Sequence, residues 1–114
     1  MDAGRDLLHF IATPHFSRAA DELLDDDDIR ALQQILNENP RAGDLVQGTG
    51  GVRKLRVAAS GRGKRGGGRV LYLYVQVRAR IFFLAVFAKN DQPDFTHAYY
   101  RALKALVQQL KMES

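Results

Sequence analysis

The sequence of 114 residues contains no cysteine. The chain therefore has neither a disulfide framework nor a thiolate metal site, which is typical of proteins from a reducing cytosol. Its longest apolar run, Ile81 to Ala88, is far too short to span a bilayer. Arg5 and Asp6 lie where a secretory signal needs an apolar segment. We therefore expect a cytoplasmic protein without membrane contact.

Acidic residues are missing from a long central stretch. Leu45 to Asn90 contain ten basic residues and no Asp or Glu, whereas Met1 to Asp44 contain four basic and ten acidic residues. The remaining segment, Asp91 to Ser114, has three of each sign, and the net charge is +4. Because ordinary surfaces mix both signs, this segregated positive field favours a polyanionic partner.

What is present is typical of a globular protein. Apolar residues make up 46% of the chain and charged residues 26%, close to the average for folded domains. A chain of this length is enough for one domain with one core, so residues 1–114 are expected to form a single domain.

Helix signals dominate the first third of the chain after a possible short strand from Leu7 to Ala12. Thr13 and Pro14 look like an N-cap followed by proline at the first helical position. Asp25 to Asp28 place negative charge at the start of a second helix, where the helix dipole favours it. Asn39 and Pro40 close that helix, so a helical hairpin is predicted.

Strand signals follow from Val52 onward, where valine, isoleucine, leucine and aromatic residues accumulate. Three strands are predicted, at Val52 to Ala59, Arg69 to Val77 and Ile81 to Lys89, and the short connection at Gln76 to Arg80 favours an antiparallel meander. A final helix from about Asp94 to Lys111 has an apolar stripe. The predicted fold is α+β, with the helices covering one face of the sheet.

Basic residues recur at the strands of this predicted sheet. Strand alternation places Lys54 and Arg56 on one face about 7 Å apart, with Leu55 turned the other way. Two cations on one face can hold one phosphate. Arg69 begins the next strand and Lys89 ends the third, so both are expected at an edge of the same sheet.

A glycine-rich segment, SGRGKRGGG, joins the first two strands of the meander. Gly61 to Gly66 match G-x-G-x-x-G, but the helix and the acidic residue of a dinucleotide site are missing. We interpret the segment as a flexible hairpin tip whose glycines let Arg62, Lys64 and Arg65 approach a phosphate backbone. A solvated surface loop without a role is the alternative.

Metal and covalent catalysis find little support in the sequence. The three histidines are widely spaced, no carboxylate cluster has ligand-like spacing, and no activated-nucleophile motif is present. We therefore predict no metal and no cofactor. RNA cleavage by its own 2'-hydroxyl remains possible, because the substrate supplies the nucleophile and protein cations can align it and stabilise a charged phosphorane.

The segment NPRAGDLVQGTGGVRKLRVAASGRGKRGGGRVLYLYV, followed by FFLAVFAKND, closely resembles the RelE/HigB family of bacterial toxins. The combination of GTGG-x-RK-x-R with GKRGG-x-R carries the resemblance, which extends over the whole chain in layout. It implies a compact α+β fold and cleavage of messenger RNA, usually in the ribosomal A site. It also implies inhibition by a cognate antitoxin, for which a small helix-turn-helix protein is expected.

The resemblance assigns candidate catalytic residues. Lys54 and Arg56 match the basic pair of the family's second strand, Arg69 its phosphate-stabilising arginine, and Lys89 the basic position that ends the last strand. Asn90 stands where several relatives have a second arginine.

The catalytic tyrosine of some members is also missing, with Phe95 and Thr96 in that vicinity. The general base is therefore not fixed, and Lys54 is one candidate for it. The chain's own tyrosines, Tyr72, Tyr74, Tyr99 and Tyr100, are predicted to pack rather than to catalyse. RNA contacts beyond the catalytic set are predicted for Arg53, Arg62, Lys64 and Arg65.

Three functions remain open at this point. The first is a metal-independent, ribosome-dependent endoribonuclease that inhibits translation. The second is a toxin of the ParE type, which shares the fold but poisons DNA gyrase by binding it, so that fold alone does not separate the two. The third, an RNA-binding protein without chemistry, is disfavoured because no aromatic platform alternates with the basic residues.

Overall fold

A computed structural model describes residues 7–58, 67–91 and 96–113. The elements, in chain order, are β1 (His9–Ala12), α1 (Pro14–Leu23), α2 (Asp26–Glu38), β2 (Asp44–Leu45), β3 (Val52–Val57), β4 (Gly68–Val75), β5 (Arg80–Ala88) and α3 (His97–Glu113). The strands form a five-stranded sheet in the order β1-β5-β4-β3-β2. The predicted α+β class is confirmed. No helix within these three ranges has the length and apolar character needed to cross a membrane.

Both N-terminal helices begin where the sequence predicts. The Thr13 hydroxyl accepts a hydrogen bond from the Phe16 backbone N–H at 3.2 Å, with Pro14 in the first turn. Asp25 and Asp28 form a capping box in which each carboxylate accepts the other residue's backbone N–H, at 2.8 and 3.1 Å. These caps satisfy backbone donors that have no partner within the helix.

The meander of β3, β4 and β5 is antiparallel, as predicted. Two strands extend it at its edges. β1 pairs in parallel with β5, with His9 opposite Arg80. The helices α1 and α2 then connect β1 to β2, which lies at the opposite edge of the sheet. β2 is only two residues long and pairs antiparallel with β3, a strand that the sequence analysis did not predict.

Helices cover both faces of the sheet, so the expectation of a single covered face is wrong. The first face packs against α1 and α2 through Val70, Tyr72 and Phe83, together with Leu32 and Leu36 of α2. The second face packs against α3 in a separate cluster that includes Val52, Leu71, Leu73, Phe82, Leu84, Leu103 and Val107. β4 and β5 are buried between helices and have apolar residues on both faces. Such near-continuous apolar runs are typical of strands that are covered on both sides.

A β-bulge shifts the pairing of β4 with β5 between Leu71 and Tyr72. Leu71 is opposite Ala85 and Tyr72 is opposite Phe83, so Leu84 is the extra residue. Leu84 and Ala85 consequently both belong to the cluster on the second face. The Thr13 hydroxyl donates a hydrogen bond to the Leu84 carbonyl at 3.2 Å, which joins the start of α1 to the bulge.

Tyr72 fastens the connection between α2 and β2 to the first face. Its hydroxyl donates to the Pro40 carbonyl at 2.8 Å and accepts from the Gly43 backbone N–H at 2.9 Å. Gly43 has no room for a side chain, since a Cβ atom would lie 2.9 Å from both the Lys54 carbonyl oxygen and the Tyr72 ring. Burial raises the pKa of Tyr72, against smaller opposing effects of the Gly43 hydrogen bond and of Arg53. Tyr72 is fully buried, which confirms its predicted packing role.

Candidate functional site

Arg56 and Arg69 lie directly opposite each other on β3 and β4. Opposed residues of an antiparallel pair have Cα atoms about 4.5–5.5 Å apart and side chains on the same face. That face is the second one, because Val52 and Leu71 of the same alternating sets pack against α3. The two arginines, Arg56 and Arg69, are therefore neighbours on this face, at the end of the sheet where β4 begins.

Lys54 shares this face with Arg56, as its spacing predicts. Leu55 and Val57, the intervening residues, pack into the first cluster instead. Lys54 is half-buried, whereas Arg56 is exposed. The register places Asp44 of β2 opposite Lys54, so one carboxylate from the acidic N-terminal segment joins the basic surface.

Arg69 is buried, with 9% of its surface exposed, and one of its guanidinium nitrogens donates to the Gly68 carbonyl at 3.1 Å. It lies on the central strand, between Arg56 on β3 and Phe87 on β5. Gly67 makes this approach of the strands possible. Its φ is +73°, and a Cβ there would lie 2.5 Å from the Val57 carbonyl oxygen.

Lys89 directly follows β5, and its backbone N–H donates to the Gly67 carbonyl at 3.3 Å. Arg69 and Lys89 therefore occupy the same end of the sheet, although neither is on an edge strand. The Lys89 side chain is exposed. The structure thus places Arg56, Arg69 and Lys89 at one end of β3, β4 and β5, with Lys54 two residues from Arg56 on the same face of β3. We call these four residues the cationic site.

Arg53, a predicted RNA contact, is directed to the first face and away from the cationic site. Its guanidinium donates to the Gly43 carbonyl at 2.8 Å and to the Arg41 carbonyl at 3.4 Å. These contacts hold the segment before β2 in place. Arg62, Lys64 and Arg65, the other predicted RNA contacts, lie outside the described residues, as does Phe95.

No sequence pattern marks Asp44 or Phe87 as a neighbour of the cationic site. Asp44 stands in a two-residue strand that is too short to produce a periodic pattern. Phe87 is opposite Arg69 only because of the bulge. The one sequence signal is the small size of Ala42 and Gly43 before Asp44, which allows the chain to approach another strand there.

This arrangement suits a phosphate group. Guanidinium groups donate paired hydrogen bonds to phosphate oxygens, and a buried one, such as that of Arg69, is held in a fixed orientation by its surroundings. Within residues 7–58, 67–91 and 96–113, no three His, Asp or Glu side chains lie close enough together to hold a metal ion. The cations can bind and neutralise a phosphoryl group, and the two lysines can also exchange a proton.

Fold and site together define a small α+β protein with a cationic surface at one end of its sheet. Residues 10–114 match the family model of the RelE toxin of the RelE/RelB toxin-antitoxin system. The chain therefore belongs to the RelE toxin family.

Two solved structures share the fold. One is a free E. coli RelE toxin in which two arginines are replaced by alanine. It matches with a TM-score of 0.58 and 11% identity, over 90% of this chain and 98% of that one. The other is the isolated E. coli RelE toxin, with a TM-score of 0.54 and 16% identity, over 87% and 98% of the two chains. At such low identity these matches concern the fold alone.

Proposed function

We propose that the protein is the toxin of a toxin-antitoxin pair and that it cleaves messenger RNA as a metal-independent endoribonuclease. The observation that carries this proposal is the pairing of Arg56 with Arg69 across two strands, with Lys54 on the same face and Lys89 at the same end of the sheet. Membership of the RelE toxin family supports the toxin role and implies an antitoxin partner.

In the proposed reaction the 2'-oxygen of the substrate loses its proton to a base and attacks the adjacent phosphorus, and the 5'-oxygen leaves and takes up a proton from solvent. The products are a 2',3'-cyclic phosphate and a 5'-hydroxyl end. Lys54 and Arg56 orient the phosphate, while Arg69 and Lys89 stabilise the negative charge that develops on the phosphorane. Buried Arg69 suits that role, since a donor already fixed by the protein needs no reorganisation during the reaction.

Proton transfer restricts which residue acts as the base. Arginine stays protonated in proteins, so of the four cations only Lys54 and Lys89 can accept the 2'-hydroxyl proton. We assign this role to Lys54, because it is half-buried on the same face as Arg56, whereas Lys89 is exposed at the chain's exit from the sheet. A Lys54→Arg variant keeps the charge and loses the base, so its cleavage rate should fall as far as that of Lys54→Ala.

The proposed substrate is messenger RNA in the A site of the translating ribosome, and the proposed location is the cytoplasm. The expected inhibitor is an antitoxin, for which we propose a helix-turn-helix protein.

Lys64 and Arg65 are proposed to hold RNA together with Arg62. Replacing Lys64 and Arg65 by serine should weaken RNA binding more than it slows cleavage at saturating substrate.

The test uses programmed ribosomes with two messages that differ only in a 2'-deoxy nucleotide at the cleaved position. The expected result is cleavage of the all-ribose message to a 5'-hydroxyl end, retained after the toxin is treated with a chelator, and no cleavage of the deoxy message. Products with 5'-phosphate ends, or activity restored only by an added metal, would overturn the mechanism. Intact messages together with DNA breaks in arrested cells would point to a gyrase poison of the ParE type instead.

A further inference from the structure

A second group of basic residues lies at the opposite end of the sheet from the cationic site. Arg78 lies in the tight connection between β4 and β5 and Arg80 is the first residue of β5. Both line a groove of about 580 Å³ that His9 also lines. Arg41 reaches the same connection, since its guanidinium donates to the Gln76 side-chain oxygen at 2.7 Å. We call Arg41, Arg78 and Arg80 the turn-end arginine patch.

The backbone beneath this patch is fixed. Gln76 to Arg78 form a 3₁₀ turn, and Ala79 follows in the left-handed region with φ 52° and ψ 45°. The Ala79 N–H donates to the Gln76 carbonyl at 3.1 Å, and its carbonyl accepts from the His9 N–H at 2.8 Å. Arg41 is held as well, with its guanidinium 5.2 Å from the centre of the Tyr74 ring. The backbone that carries Arg78 and Arg80 and the side chain of Arg41 therefore have defined positions.

Arg78 and Arg80 form no ion pair with any of the described residues, unlike Arg30, which is paired with Asp27 at 3.4 Å. Arg78 is exposed and Arg80 half-exposed. Val77, at the tip of the connection, is 87% exposed and is aliphatic. The exposed turn thus offers cations without a carboxylate partner and without an aromatic ring for stacking, because the Tyr74 face is occupied by Arg41.

The patch is too far from the cationic site to act on the same phosphate. Val75 is six residue steps from Arg69 along β4, which corresponds to about 20 Å at about 3.3 Å per step. A ligand that contacts both ends must extend over this distance. Single-stranded RNA is usually held by stacking on aromatic side chains, which the turn lacks, whereas helical RNA is held largely through its backbone phosphates and 2'-hydroxyl groups.

We propose that the turn-end arginine patch binds the phosphate backbone of double-helical RNA, as a docking site separate from the cleavage site. This inference rests on the proposed function, because it supplies the RNA-cleaving protein with a contact to folded RNA, such as that of the ribosome. Arg78 and Arg80 contact successive phosphates, and Arg41 adds positive charge at the base of the turn.

The test compares the Arg78→Ser, Arg80→Ser double variant with Arg18→Ser, Lys104→Ser, which removes the same charge from exposed positions on α1 and α3. Binding of each full chain to a blunt 16-base-pair RNA duplex is measured over a series of KCl concentrations, after thermal melting has verified folding. Losing two phosphate contacts should reduce the slope of log affinity against log salt by about 1.8, which is about 10- to 100-fold weaker binding at 0.1 M salt. The control should bind like the unaltered protein.

Two further variants separate this inference from the proposed function. Arg78→Lys with Arg80→Lys should recover most of the duplex affinity, because the charge is retained. Arg69→Ala should bind the duplex normally while losing cleavage. If the unaltered protein cuts no RNA but binds the duplex through Arg78 and Arg80, the docking site stands and the proposed function fails.

The docking proposal itself is overturned if the serine double variant binds the duplex as tightly as its control does. It is equally overturned if that variant keeps duplex binding but loses affinity for the antitoxin, since the patch would then be a protein interface. Cleavage of message by the serine variant at saturating ribosome concentration should remain near normal, because Arg69 and Lys54 are unchanged.

Discussion

The two faces of the sheet are built from the same strands but differ in chemical character where β4 begins: one is apolar and the other is basic. On the first face, Leu55 and Val57 of β3 continue the apolar cluster under α1 and α2. On the second face, Lys54 and Arg56 of that strand interrupt the apolar cluster under α3. One alternating strand thus contributes to a core on one side and to the cationic site on the other. We therefore expect the stability of the protein and its proposed activity to depend largely on different faces.

Two leucines, one from a helix on each face, differ in how tightly they are packed. Leu32 of α2 is 1% exposed within the first cluster, whereas Leu103 of α3 is 7% exposed and lines an apolar groove of about 480 Å³. Leu32→Ala should cost about 2–5 kcal/mol of unfolding free energy, and Leu103→Ala less, because atoms beside an existing groove have fewer packing partners to lose. Urea denaturation of both variants measures this difference. Equal losses would mean that the groove beside Leu103 does not weaken its packing.

Arg69→Ala should separate activity from stability. Losing one fixed donor to the phosphorane should lower the cleavage rate about 100- to 1,000-fold, which corresponds to about 2.7–4 kcal/mol. Arg69→Met keeps most of the side-chain volume and should be equally inactive while melting near the temperature of the unaltered protein. If a folded Arg69→Met protein cleaved RNA at a normal rate, Arg69 would have to be removed from the cationic site.

Tyr72→Phe should weaken the attachment of β2 to the first face. The buried Gly43 N–H would lose its acceptor, at a cost of about 1–3 kcal/mol in unfolding free energy. Cleavage should fall only modestly, because Lys54 and Arg56 remain on β3. A large loss of activity without loss of stability would instead give Tyr72, or the strand position of Asp44, a role in the reaction.

The same variant changes the pH dependence of stability. The pKa of Tyr72 is raised above its ordinary value of 10.0 in the folded protein, so the unfolded chain loses that proton first as the pH rises. The contribution of protonated Tyr72 to the unfolding free energy is fully present below pH 10 and is lost as the pH rises from 10 through the raised pKa of the folded protein. Tyr72→Phe should therefore flatten the alkaline decline measured by urea denaturation between pH 9 and 11. Tyr99, whose pKa burial also raises, should leave part of that decline in place.

The smallest effect is expected at Ala79, which belongs to neither face. Ala79 is in the left-handed region, where a Cβ atom costs about 1–2 kcal/mol. Ala79→Gly removes that strain but makes the unfolded chain more flexible, so the net gain should be at most about 1 kcal/mol. Ala105→Gly, at an exposed position in α3, should instead destabilise the protein by about 1 kcal/mol. Differential scanning calorimetry compares the two, and a lower melting temperature for Ala79→Gly would show that the turn is not strained.

The sequence by itself determined the helices, the three long strands and the segregation of charge. Helix starts at Thr13 and Asp25 depend on capping side chains that act within a few residues, which is why they can be predicted from local sequence. The common face of Lys54 and Arg56 follows from strand alternation alone. The family resemblance also depends on a contiguous segment of sequence.

Only the tertiary structure decided which β5 residue lies beside Arg69. Counting back from the turn that pairs Val75 with Arg80 would put Arg69 opposite Val86, but the bulge in β5 makes Phe87 its partner and turns Val86 to the first cluster. The parallel position of β1, the placement of Asp44 beside Lys54 and the turning of Arg53 toward Gly43 likewise depend on segments that are distant in sequence. Local propensity does not encode such register, because it is set by how helices and strands pack together in three dimensions.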